Sequence, residues 1–307
     1  RIMAVGDLIT ALRYNNLQSR INVIMGTGSG NSGYGQALVS GQVAVGSNVD
    51  LLRVLNLRTD MVKARQHQTA NNEAPSPGTG AFPLVTTADQ VTDAFAANLE
   101  SQMTTIETNR LALGAGGTLG NQFTDTTDAN TSQRTASWNG LLTHNVTVAF
   151  GSNDAARFYF NSGGDIRFRV TLTGGTSDTG VNQIFTDWSN MFSTMGTITM
   201  NHNSTTRSGS SGTTQAIGFY QLTTSNQEIF RRVGSGNYAT NTYIINARTD
   251  NAGNVFFNIQ FNDNKGGNPN FDEAVTGTLT SRIDIRRATG SNVAVNAPTI
   301  TTTTAIT

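Results

Sequence analysis

The sequence predicts an α+β chain, a helical N-terminal module followed by an antiparallel β-sandwich with one inserted helix. Three observations predict it. Apolar residues recur at helical spacing through the first third, where one stretch repeats 40 positions later, Val5 against Val45. From about residue 144 the pattern changes to strict alternation, broken by Gly, Asn and Asp turns. The composition suits such a chain: 307 residues, 36% hydrophobic and only 13% charged, with the balance in Thr, Asn, Ser and Gly. The boundaries follow from these shifts. Residues 1–113 form the helical module, 114–142 a Gly/Thr/Asn-rich linker, 143–290 the sandwich and 291–307 an extended tail.

The first module is read from its repeat. Val5, Gly6, Leu12, Arg13, Asn16 and Leu17 recur as Val45, Gly46, Leu52, Arg53, Asn56 and Leu57. A weaker third copy starts near residue 87 and carries Val91, Asn98, Leu99, Met103 and Ile106. Three helices follow, over 8–25, 48–68 and 88–112, as in a small bundle. Asp7 and Ser47 are the expected N-caps, and Ser47 with Asp50 has capping-box spacing. Asn16, Asn56 and Asn98 each sit beside an apolar stripe, where an amide must find partners, so each is a candidate for pinning a neighbouring loop.

Between the first two helices lies "GTGSGNSGYG", in which Gly28, Gly30 and Gly33 spell G-x-G-x-x-G. A dinucleotide site needs a strand before this motif and a helix after it. Here Leu8, Leu12, Leu17, Ile21 and Ile24 make a helical stripe before it, and no helix starts after it. The motif runs from helix to loop, so no nucleotide cofactor is expected. Gly26, Gly28, Gly30, Gly33 and Gly35 then serve a docking loop in which backbone approaches a partner surface and Tyr34 is the anchor.

The second module is read from alternation. In "DIRFRVTLT", Ile166, Phe168, Val170 and Leu172 point one way while Arg167, Arg169 and Thr171 point the other. Further strands are expected at 144–150, 157–161, 197–201, 217–222, 228–233, 242–249, 255–262 and 278–286, the short spacing of a sandwich. The inserted helix carries Val181, Ile184, Phe185, Trp188, Met191, Phe192 and Met195, a stripe that faces a core. In the tail Val293 and Val295 alternate with polar residues, and a threonine run follows from Ile300 to Ile306. It has β-propensity without enough apolar surface to fold alone, so it is expected to add to a sheet edge and bond subunits into a homo-oligomer.

Chemistry is hard to place in this chain. The net charge of +0 gives no electrostatic case for nucleic acid, and Arg231-Arg232 and Arg286-Arg287 are pairs without interleaved aromatics. There is no cysteine, hence neither disulfide nor thiolate chemistry. No apolar run approaches membrane-spanning length. His67, His144 and His202 have no metal-ligand spacing, no G-x-S-x-G elbow is present, and Asp272 with Glu273 are neighbours that would face apart on a strand. Asp165, ahead of a strand, and Asp187, on the polar side of a helix, read as structural. The expectation is no enzyme, no metal and no cofactor.

Several segments carry a resemblance. "GTGSGNSGYGQ" at 26–36 with "KARQHQT" at 63–69, then "ARFYFNSGGDIRFRVTLTGG" at 156–175, "WSNMFSTMGTITM" at 188–200, "GFYQLTTSNQEIF" at 218–230, "FNDN" at 261–264 and "DEAVTGTLTS" at 272–281 resemble virion structural proteins from tailed phages of marine cyanobacteria. The resemblance spans most of the chain and brings no catalytic residues. It implies a helical docking module and a non-enzymatic role in a virion, in a tail, neck or fibre part. The chain would be made in the host cytoplasm and exposed after release, and its partners would be itself and other virion proteins. The alternative is an adhesin whose sandwich loops read a host surface receptor or glycan. An exposed Trp or Tyr would favour it, whereas Trp138 lies in the linker and Trp188 reads as buried.

Overall fold

A computed structural model describes residues 9–70, 82, 92–113, 123–176, 183–265 and 274–307, apart from the side chains of 127–129. Asp7, residues 88–91, Val181, Asp272 and Glu273 lie outside the described residues. The chain is α+β, with five helices among the described residues and two antiparallel sheets, its strands concentrated in the C-terminal part. It divides into two units. One is residues 1–124 with 157–163 and 287–295; the other is 125–156 with 164–286 and 296–307.

The helical unit is a threefold internal repeat. Helices α1 (Ala11–Met25), α2 (Leu51–Thr69) and α3 (Asp93–Thr108) each begin after a residue whose side-chain oxygen accepts the backbone N–H three positions on: Thr10, Asp50 and Thr92. This corrects the expected caps, because Ser47 lies in a turn and Asp50 supplies the oxygen. All three helices consequently start later than the apolar periodicity alone indicates.

The buried positions then align in layers: Tyr14, Val54 and Ala96; Leu17, Leu57 and Leu99; Ile21, Met61 and Met103; Ile24, Ala64 and Ile106. Their spacing alternates three and four, the a/d seam of a coiled coil, and each helix packs on both others. The helices run parallel. Arg13 bonds Glu100 (2.6 Å) and Asp93 near the start of α3, and Arg20 bonds Glu107 (2.8 Å) near its end.

Parallel helices in one chain require long returns, unlike the short loops that join antiparallel neighbours. The return between α1 and α2 is held along its length. The Asn15 amide donates to Val43 O (2.8 Å) and accepts from Val43 N (2.9 Å). Asp60 accepts from Val39 N (3.1 Å) and Ser40 N (2.8 Å), and Tyr14 Oη donates to Gly41 O (3.1 Å).

In the second unit one sheet orders β1 (Phe123–Arg134), β10 (Thr278–Ala288), β3 (Asp165–Thr173), β4 (Ile198–Met200) and β5 (Thr205–Arg207). The other orders β11 (Thr299–Thr304), β2 (Gly140–Ala149), β9 (Asn254–Asp263), β8 (Thr242–Thr249), β7 (Gln227–Val233) and β6 (Thr213–Thr214). Their facing side chains meet: Phe168 and Phe257 stack edge to face at 4.8 Å, and His144 Nδ1 bonds Ser281 Oγ at 2.9 Å. The sheet edges are linked as well. Thr302 Oγ1 bonds Asn130 Oδ1 and Ser132 Oγ accepts Ile306 N on one side, while Thr205 N bonds Gln215 O at 3.1 Å on the other.

Several expectations are corrected here. The stretch 114–142 is not a plain linker, since β1 and the start of β2 occupy most of its described part. Its alternation is masked by Thr and Asn at positions where the sheet accepts polar residues. Residues 157–161 are helical, within α4 (Asn153–Asn161), so α5 (Ile184–Met195) is not the one inserted helix. Ser152 Oγ accepts Ala155 N at 3.0 Å and starts α4, and Ala156, Tyr159 and Phe160 form its buried stripe. Residues 217–222 hold a single 3-10 turn, Phe219–Gln221.

The layers predict a sharp contrast between two leucines five positions apart. Leu57→Ala should cost about 2–5 kcal/mol in urea unfolding. Leu52→Ala, at a position 64% exposed, should cost less than ~0.5 kcal/mol. Equal losses would rule out the layered core.

Candidate functional site

The glycine-rich loop is the most elaborate local structure in the helical unit. Gly26 closes α1, and the chain turns back on itself so that Tyr34 N, Gln36 N and Gly35 N donate to Ile24 O (2.8 Å), Met25 O (2.8 Å) and Gly26 O (2.9 Å). The loop thereby satisfies carbonyls that a helix C-terminus leaves open. Gly28, Gly30, Gly33 and Gly35 all have positive φ. At Gly35 (φ +70°) a Cβ would lie 2.4 Å from the Phe158 ring, so the backbone presses flat on an aromatic face.

What the loop touches is its own chain. Asn161 Nδ2 donates to Gly33 O (3.0 Å), the Arg157 guanidinium donates to Ser32 O and that of Arg110 to Asn31 O. Gln36 exchanges hydrogen bonds with Ala294, Nε2 to O at 3.0 Å and N to Oε1 at 3.2 Å. Tyr34 is not an exposed anchor. It is 1% exposed, its hydroxyl donates to Arg110 O and accepts from Gln68 Nε2 (3.3 Å), and its ring meets His67 at 5.2 Å. Burial pushes its phenol well above the usual range. His67 bonds Ser162 O (3.0 Å), and burial lowers its imidazole to about 4. It is therefore a neutral structural histidine, as is His144, lowered by burial to about 4 between Ser281 and Thr302.

The three asparagines do not act as expected. Asn16 is exposed, and its neighbour Asn15 does the pinning. A one-residue step moves a helical side chain by about 100°, enough to exchange solvent for the return segment. Asn56 is half-buried and its side chain makes no hydrogen bond among the described residues, and Asn98 Oδ1 is buried without one. The residues that do hold loops, Gln18, Asp60 and Gln68, are buried polar side chains inside the apolar stripes. Their interruption of those stripes was the signal in the sequence.

The tail is likewise taken up within the chain. Val293 is buried in the helical core with Val295 packed against it. Ile300 pairs with Val148 in the β11–β2 ladder, and Ile306 is buried. The tail thus adds to a sheet edge as its β-propensity predicts, and the edge that it covers is β2 of the same chain. Asp187 is buried rather than on a polar helix face, accepting from Ser235 N (3.0 Å) and Oγ (2.6 Å). Trp138 and Trp188 are 3% and 0% exposed and stack at 5.8 Å, so neither offers a platform for a sugar ring.

One residue missed by sequence reasoning is Asp263. In β9 the inward positions are Val255, Phe257, Ile259, Phe261 and then Asp263, a carboxylate at the end of an apolar series. It is 2% exposed, and neither oxygen accepts a hydrogen bond among the described residues. Burial pushes its carboxyl up to about 7, and the nearby Asn241 amide and Lys265 N–H, neither in hydrogen-bond geometry with it, offset this only in part. Asp165 differs: it is buried too, which raises it, but Arg286 (2.8 Å) and Arg167 (2.9 Å) hold it as an ion pair.

Among the described residues no cluster of His, Asp or Glu could hold a metal ion, and no helix is long and apolar enough to cross a membrane. No protein-family model, curated protein or solved structure matches the chain.

Two predictions follow from this geometry. Gly35→Ala should destabilise the chain by on the order of 2–3 kcal/mol. Gly30→Ala, whose Cβ would meet nothing within 4 Å, should cost only the ~1 kcal/mol of a left-handed backbone. Matched losses would remove the Phe158 contact from the account. For Asp263 the folded value lies above the unfolded one. Its contribution is therefore complete below about pH 4 and is lost as pH rises through about 7. Asp263→Asn should remove that decline, gaining on the order of 2 kcal/mol at pH 8 after solvent screening. A variant with the wild-type pH profile of the melting temperature would refute the assignment.

Proposed function

We propose that the chain is a non-enzymatic structural component of a bacteriophage virion, tail, neck or fibre associated, acting through self-assembly and docking to other virion proteins. In this reading residues 1–113 serve as the helical docking module. The two facing sheets form a β-sandwich, supported by the Phe168–Phe257 and His144–Ser281 contacts across them.

The observation that carries the reading is spatial. Three segments that bear the resemblance to cyanobacterial phage virion proteins, 26–36, 63–69 and 156–163, are far apart in sequence. They meet at one clasp, built from Tyr34, His67, Gln68, Arg157, Phe158 and Asn161. Their polar groups are used in holding backbone, not in presenting a reactive group to a cleft. The distinctive residues therefore encode a scaffold, which is what an assembly protein requires.

Mass spectrometry of density-purified particles of the phage that encodes the chain tests this. The chain should be present at a fixed molar ratio to the major capsid protein, and antibody raised against it should label one particle feature. Abundance in infected-cell lysate with absence from washed particles would overturn the reading.

A further inference from the structure

Asp263 is the last inward residue of β9, following Phe257, Ile259 and Phe261 along one face. What holds the chain changes at this point. Up to Asn262 the strand is paired on both sides, by β2 and by β8. Asp263 still faces Gly140 of β2, but the β8 ladder ends at Thr242, opposite Asn262. Beyond it a side chain takes the place of a strand. Asn241 Oδ1 accepts from Asn264 N and from Lys265 N, each at 2.9 Å, and Asn264 Nδ2 donates to Thr240 O (3.1 Å). Asn241 is a fixed post. It is fully buried, its N–H donates to Tyr238 O (2.9 Å) and its carbonyl accepts from Gly234 N (2.9 Å). Residues 263–265 are the lightly held side of this junction.

The junction leaves three buried polar atoms without a hydrogen bond among the described residues. They are both carboxylate oxygens of Asp263 and, nearby, Nδ2 of Asn241. A neutral carboxyl group can occupy such a place at moderate cost, whereas a charged one there has no donor to offset its loss of water. The titratable groups on the surrounding elements are engaged elsewhere. On α5, whose Phe192 ring meets Phe261 at 6.1 Å, Asp187 accepts from Ser235. On β7 Arg232 donates to Val233 O, and on β2 His144 is bonded to Ser281 and Thr302. On β8 Arg248 lies over Phe256, and burial holds the Tyr243 phenol above its usual range. In the facing sheet Asp165 and Asp284 are paired with arginines. Lys265, two residues on, gives its backbone N–H to the Asn241 post.

We propose that residues 263–265 form a pH-sensitive latch on the second unit, closed on Asn241 while Asp263 is a neutral carboxyl group and released when it ionises and turns to water. Release is local, because it gives up a few side-chain bonds at a strand end and leaves the β2–β9–β8 ladders in place. Its direction follows from linkage. The released carboxyl titrates in the ordinary range, about pH 4, and the closed one at about 7. The released fraction therefore grows as pH rises between these values and levels off above them. The latch goes beyond the assembly role and stands whether or not the chain belongs to a particle.

Hydrogen exchange of the full chain, resolved to single amides, tests this. Divided by the intrinsic chemical rate, exchange at Asn264 and Lys265 should rise by about tenfold or more between about pH 5 and about pH 7 and level off above about pH 8. It should be indifferent to low concentrations of urea, as local openings are. Phe257 and Ile259, in the middle of β9, should be better protected and should accelerate with urea. Asp263→Asn should flatten the pH dependence at Asn264 and Lys265, and Asn241→Ala should cut the protection of both by about tenfold at about pH 5. Exchange at these two amides that is flat with pH in the wild type, or that rises as steeply in Asp263→Asn, overturns the latch. A urea slope equal to that of Phe257 and Ile259 also overturns it, because the opening would then be the unfolding of the whole unit. Unchanged protection in Asn241→Ala removes the post and with it the proposal. The wild-type pH and urea series need no variant, so the test holds whatever Asp263→Asn does to folding.

Discussion

Everything in the N-terminal unit depends on one constraint, the parallel alignment of three helices within a single chain. Layers such as Leu17, Leu57 and Leu99 form only when equivalent positions of the three repeats come to the same height. A chain can achieve that only by travelling back the length of the bundle after each helix. The return between α1 and α2 then has backbone groups of its own to satisfy. It does so through polar side chains, Asn15 beside the stripes and Gln18 and Asp60 buried within them. The polar residues among the apolar ones are thus a consequence of parallelism. An antiparallel bundle of the same helices could do without them.

The same constraint explains the glycine loop. A helix that must be followed by a reversal leaves its last carbonyls open just where the chain changes direction. The loop closes on Ile24 O, Met25 O and Gly26 O, and it can do so within a few residues only by using left-handed backbone. Later parts of the chain then pack against this reversal. The second half of α4 and the segment 287–295 belong to the helical unit although they come from the middle and the late part of the sequence. Long-range closure of this kind is slow to form, since the loops it closes are long, and it brings distant parts of the chain into one core.

Legibility in the sequence followed the size of the apolar signal. The three helices and the strands over 165–173, 242–249 and 255–262 were visible because their buried faces are strongly apolar and regular. β1 was not, because "FTDTTDANTSQR" has almost no apolar residues; a strand held by its neighbours needs none. α4 was read as a strand because "RFYFN" alternates over a span too short to separate a period of two from one of 3.6. The caps were misplaced by three residues because Asp, Ser and Thr all occur near each helix start, and only geometry decides which oxygen reaches the backbone. Of the proposed site, the glycine loop was legible as a loop. Its true contacts were not, since Phe158 and Asn161 lie more than a hundred residues away. Asp263 was hidden by its position at the end of a strand, where a carboxylate ordinarily meets solvent.

The way the chain disposes of its charges limits how it can associate. Asp165 and Asp284 are buried against Arg286, Arg167 and Arg169, so part of a small charge complement is consumed internally. One sheet face carries amides that bond one another across strands, Asn246 to Asn258 and Asn258 to Asn145, with Gln260 on the same acceptor. With a net charge of +0 there is little long-range field to steer a partner. Any partner would therefore be recognised at short range, by shape and apolar area where two surfaces already touch. Exposed apolar area of that kind is present in both units, at Leu12, Val45 and Leu52 in the helical one and at Leu141 and Val233 on strands of the other.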